Sequence, residues 1–96
     1  MTALNNIPQH LHLPQYPEQA QRLFHGRGHA YPDLHHVTID WLPPVALITL
    51  FAAEPSAAIE NLAHYLQSVL PDCRSIQVQH RHQLSGPIEL IRGDTV

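Results

Sequence analysis

Ninety-six residues, 44% of them apolar and 14% charged, allow one small globular domain. Five arginines, no lysine and eight carboxylates give a formal net charge of −3, which excludes the basic footprint of a free-standing nucleic-acid binder. A single cysteine, Cys73, excludes an internal disulfide and a cysteine-rich zinc site and suits a reducing compartment. No basic-then-apolar leader follows Met1, and no apolar run approaches the ~20 residues of a membrane span. The expectation is a cytoplasmic chain with no membrane partner.

Residues 1–16 read as a flexible N-terminal tail ahead of a single domain at 17–96. Asn5, Asn6, Pro8 and Pro14 interrupt every periodic pattern, and Leu4, Ile7, Leu11 and Leu13 are scattered. The pair His10 and His12 lies in this tail and reads as solvated. Pro17 and Glu18 suit the first turn of a short helix, with Ala20, Leu23 and Phe24 on one face at i, i+3, i+4 spacing. Gly26 and Gly28 end it. In the loop His25-Gly26-Arg27-Gly28, two glycines bracket a guanidinium, an arrangement that suits a phosphate or carboxylate. The other reading is a structural turn in which Arg27 pairs with Asp33 or Asp40. The Gly-x-Gly is no nucleotide fingerprint, because no predicted strand precedes it and no third glycine opens a helix.

The segment Val37–Phe51 organises the rest. Val37, Ile39 and Trp41 alternate with Thr38 and Asp40, as in a strand with one wet face. Val45–Phe51 is apolar on both faces apart from Thr49, as in a strand inside a sheet. Pro43 and Pro44 lack an N–H for a ladder, so they form the turn, with Pro44 where a cis peptide is comfortable. The clearest helix follows. Glu54 and Pro55 open it; Ile59, Leu62, Ala63, Leu66, Val69 and Leu70 form one apolar stripe; Pro71 stops it. Ile76, Val78 and His80 then alternate with Gln77, Gln79 and Arg81 in a half-wet strand. Ser85-Gly86-Pro87 turns the chain, and Ile88, Leu90 and Ile91 mark a last strand. These elements predict an α+β two-layer sandwich: a four-stranded β-β-α-β-β sheet packed by one long amphipathic helix and preceded by a short helix and loop.

The run Arg22-Leu23-Phe24-His25-Gly26-Arg27-Gly28, continued by Tyr31-Pro32-Asp33-Leu34 and Thr38-Ile39-Asp40, resembles the N-terminal part of class I S-adenosylmethionine-dependent methyltransferases of 23S ribosomal RNA, the large-subunit cytosine-C5 and guanine methylases. In that family a small strand-strand-helix-strand-strand domain precedes the catalytic one, and the element order derived above matches it. The resemblance covers roughly 22–96, and Leu90-Ile91-Arg92-Gly93-Asp94 resembles the segment leading to the catalytic domain. Asp33 stands where the family has a turn glycine. The resemblance implies a non-catalytic accessory region that helps position RNA substrate or brace the catalytic domain, with S-adenosylmethionine the cofactor of the full-length family and none held by this chain. It implies ribosomal RNA as a weak partner, and a downstream methyltransferase domain as another. No catalytic residue carries over: there is no glycine-rich strand–helix turn, and Cys73 sits in a connector rather than a proline-cysteine setting.

The residues assigned to nucleic acid are His25, Arg27, Gly28, His80, Arg81 and His82. His80 and His82, two apart on a predicted strand, would share a face, but two ligands are too few for a metal, and nothing places His35, His36 or an aspartate beside them. His80-Arg81-His82 is a cationic cluster when protonated, and with Gln77, Gln79, Thr38 and Asp40 it predicts an open polar sheet face. A lone Asp40 and a lone Glu89 supply no acid–base pair, and neither Ser56 nor Ser75 sits on a strained nucleophile turn. The alternative function is a protein–protein interaction or dimerisation module working through a free sheet edge or apolar patch.

Overall fold

The computed structural model describes residues 3–13, 16, 18–26, 34, 36–70 and 72–93. The strands are β1 (Gln21–His25), β2 (Val37–Leu42), β3 (Val45–Leu50), β4 (Ser75–His80) and β5 (Ile88–Gly93), and α1 (Ser56–Val69) lies between β3 and β4. They form one five-stranded sheet in the order β1-β2-β3-β4-β5. Neighbours pair antiparallel except β3 and β4, which run parallel and are joined by the α1 crossover that such a pair requires. The α+β class stands. β3, apolar on both faces, lies at the centre of the sheet, and the chain reverses between Leu42 and Val45 through a cis Pro43–Pro44 peptide.

Two expectations are corrected. The sheet has five strands rather than four, because Gln21–His25, read as the end of a short helix, is strand β1. The i, i+3, i+4 spacing of Ala20, Leu23 and Phe24 imitated a helix face. In the sheet, adjacent Leu23 and Phe24 are both buried because a bulge between Arg22 and Phe24 leaves Leu23 outside the register with β2. The second correction concerns the N-terminus. Ala3–His10, assigned to a loose tail, winds into a 3-10 helix that packs on α1. Three residues per turn bring Leu4 and Ile7 onto one side, and both are buried in the core. The following segment lies along β1: the His12 N–H donates to the Leu23 carbonyl at 2.8 Å, and the Gln21 amide reaches the Leu13 carbonyl at 3.4 Å.

The core lies between one sheet face and α1. Val37, Ile39 and Trp41 of β2, Ala46, Ile48 and Leu50 of β3, and Ile76 and Val78 of β4 cluster with Ala58, Ile59, Leu62, Ala63 and Leu66 of α1. The predicted helix stripe is therefore the buried one. Pro55 stands at the N-cap with no side-chain cap, and Glu54 turns away to meet Nε2 of His36 at 2.6 Å. That largely buried pair ties the β3–α1 turn to the start of β2, beside the Phe51 N–H bond to the His36 carbonyl at 2.8 Å. On the opposite sheet face the registers align His25, Thr38, Thr49, Gln79 and Ile88 in one row, and Arg22, Asp40, Leu47, Gln77 and Leu90 in another. No described helix packs on that face.

Candidate nucleic-acid interface

Of the six assigned residues, Arg27 and Gly28 lie outside the described residues. The other four fall toward the same end of the sheet, where β1, β3 and β4 finish, but in two separate groups.

The first group is on β1. Arg22 donates through Nη1 to Nδ1 of His25 at 2.8 Å and through Nε to the Asp40 carboxylate. On a regular strand, residues three apart face opposite ways; the Leu23 bulge turns Arg22 and His25 to one side. Arg22, which sequence reasoning did not assign to the site, is thus the guanidinium that meets Asp40. The signal for it was the adjacency of two apolar residues, Leu23 and Phe24, which a regular strand would send to opposite faces. With a carboxylate on one side and an imidazole on the other, this guanidinium is largely neutralised.

The second group follows β4. The strand ends at His80, so Arg81 and His82 belong to the turn; the Arg81 stem stays on the side of Gln79, since a Cβ at Gly86 would lie 3.6 Å from Cδ of Arg81 and 3.7 Å from Nε2 of Gln79. Thr38, Asp40, Gln77 and Gln79 share one face of the sheet. His80 sits opposite Leu50 on the core side, and its Nε2 lies 3.0 Å from Oε1 of Glu89. The His82 ring stands edge-on to the His80 ring, centroids 5.5 Å apart. Arg81 is exposed; its N–H donates to the Leu50 carbonyl at 2.8 Å, and its guanidinium carbon lies 5.9 Å from the centroid of the Phe51 ring. Phe51 was read only as the end of an apolar run. Three strand spacings separate β1 from β4, roughly 14 Å, so His25 does not join His80, Arg81 and His82. Among the described residues no three His, Cys, Asp or Glu side chains converge to hold a metal ion.

A methyl-donor nucleoside needs a different kind of place. In class I enzymes it sits at a glycine-rich turn from a parallel strand into a helix, where backbone N–H groups can approach it closely. Here the strand-to-helix turn among the described residues is Phe51-Ala52-Ala53-Glu54-Pro55. It has no glycine, its N-cap is proline, and its carboxylate is engaged by His36. At the far end of the sheet an open depression of about 440 Å³ is lined by Glu18, Pro43, Pro44 and Asp72, two carboxylates and two residues without an N–H. Neither place fits S-adenosylmethionine. Nor is Cys73 primed for attack: burial pushes its thiol up from the ordinary range, hydrogen bonding with backbone at Ser75 and Ala46 opposing in part.

Fold and site define a small two-layer α+β domain with a polar, partly cationic end and no cofactor cradle among the described residues. The family model for S-adenosylmethionine-dependent methyltransferase matches residues 21–95, and the chain belongs to that family. The match begins at the first residue of β1 and includes all five strands and α1. No curated protein matches the chain. Among the described residues no helix is long and apolar enough to cross a membrane.

Proposed function

We propose that this chain is a non-catalytic accessory domain of an S-adenosylmethionine-dependent RNA methyltransferase, acting beside a catalytic domain by positioning ribosomal RNA. One observation carries the reading: the methyltransferase family match spans 21–95, a region whose strand-to-helix turn is built of Phe51, two alanines, Glu54 and Pro55 and has no means of gripping the cofactor. Methyl transfer then falls to the partner domain, and this domain contributes contacts to the substrate. Those contacts are weak. With a net charge of −3, the expected Kd is weaker than the roughly 10⁻⁴–10⁻⁶ M of ordinary non-specific binding. Titration with ribosomal RNA fragments at low salt, followed by amide chemical shifts, tests it. Shifts at the His80–His82 turn or around Arg22 and His25 are expected, and their loss at 200 mM salt. Absence of any shift removes the RNA-positioning role.

A second reading, a protein-interaction module, is favoured by Leu42, Ile88 and Leu90, exposed at 45%, 58% and 42% on the sheet face opposite α1. Sedimentation over a hundredfold concentration range separates self-association from the first reading. A strict monomer counts against it.

A further inference from the structure

We infer that the guanidinium of Arg81 is a stacking platform for one unpaired base of single-stranded RNA; this rests on the RNA-positioning reading above. The platform is held from several sides. The Arg81 N–H is bonded to the Leu50 carbonyl and the Phe51 N–H to the His36 carbonyl, both at 2.8 Å, so the two side chains leave adjacent, fixed backbone positions. The guanidinium lies over the Phe51 ring at 5.9 Å, where the ring's negative face attracts it. The turn closes along the arginine stem: Ser85 and Gly86 both take positive φ, 75° and 54°, and a Cβ at Gly86 would stand 3.6 Å from Cδ of Arg81.

The charge is also available. Arg22 is bound to Asp40 and Arg92 to Glu60, whereas no ion pair involves Arg81 among the described residues. The nearest carboxylate on β5, Glu89, is occupied by His80. One exposed planar cation with an aromatic ring beneath it presents a face about the size of one base. A duplex hides its base faces in the stack, while unpaired bases stack on arginine planes. Phosphate attraction alone would need several cations acting together, and a chain of net charge −3 does not offer them.

The test uses the full chain and a ten-nucleotide adenosine-rich RNA, presented single-stranded or annealed to its complement, read by amide shifts at low salt. Arg81 is exposed in a turn, so Arg81→Lys and Arg81→Ala leave the fold intact, checked by the dispersion of the same spectra. The expected result is that the single strand shifts the amides of Phe51, Arg81 and His82, that the duplex does so at least fivefold more weakly, and that Arg81→Lys weakens binding about tenfold, nearly as much as Arg81→Ala. Lysine keeps the charge and loses the plane, so wild-type binding by Arg81→Lys overturns the stacking role. So does equal binding of the duplex, or shifts confined to Arg22 and His25; each of these leaves RNA positioning standing. Silence with every RNA overturns both.

Discussion

Replacing Ile7 by alanine should destabilise the domain by about 2–4 kcal/mol. Ile7 is fully buried in the 3-10 helix that packs on α1. The substitution removes three carbons, worth roughly 0.8 kcal/mol each in transfer free energy, or a little over 2 kcal/mol. If nothing relaxes, the cavity left adds up to about 2 kcal/mol more, and partial collapse brings the total into the stated range. A domain of this size has about 5–14 kcal/mol in all, so the loss is large and should lower Tm by on the order of 10–20 °C. Urea denaturation followed by the fluorescence of Trp41, the single tryptophan and 1% exposed, measures it directly. The companion substitution Gln9→Ala, on an exposed position of the same helix, should change stability by less than ~0.5 kcal/mol. If Ile7→Ala behaves like Gln9→Ala, the N-terminal helix is not part of the cooperative unit.

Gly93→Ala should cost about 1–3 kcal/mol in the same assay, because Gly93 holds φ at +87° and a Cβ there would lie 2.2 Å from the Arg74 carbonyl oxygen. Two ion pairs should behave unlike each other. Glu54→Ala withdraws the carboxylate from a His36 side chain only 12% exposed, and about 1–3 kcal/mol is expected; Arg92→Ala breaks a contact to Glu60 that is 53% exposed, and less than ~1 kcal/mol is expected from loss of the pair. Cys73 sets a pH dependence. Its folded pKa is raised above the unfolded value, so on raising the pH the unfolded chain loses this proton first, and the folded state then binds more protons. Its contribution is complete below the unfolded thiol pKa and is lost as the pH rises through the folded one. Denaturation midpoints measured from pH 8 upward should fall more steeply for wild type than for Cys73→Ala.

The parts of the fold that the sequence disclosed are those where one local rule decided the conformation. The β2–β3 reversal follows from two prolines that cannot donate to a ladder, and α1 follows from a stripe that repeats over several turns. The parts it concealed are those where five to eight residues satisfy two periodicities at once. Leu4 and Ile7 are three apart, too few to announce a helix and interrupted by Pro8, yet a 3-10 helix needs no more than that to bring both inward. Leu23 and Phe24 are adjacent, which a regular strand would send to opposite faces, and only the bulge reconciles them with a half-covered sheet.

The same bulge decides how much of the site was legible. Residue types alone drew attention to the histidines and arginines, and spacing alone put Arg81 with Gln77 and Gln79. Backbone geometry adds the partners that neither shows. Just past the end of β4 at His80, Arg81 is brought to Phe51, and because β1 bulges at Leu23, Arg22 is brought to Asp40 and His25. The consequence is a division of labour that charge counting cannot reveal. One guanidinium is quenched by its neighbours and serves the sheet, while the other lies exposed over an aromatic ring with no carboxylate bound to it among the described residues. A net charge of −3 therefore does not say where an exposed cation stands: what matters is which arginine the backbone leaves without a counter-charge, and the strand ends determine that.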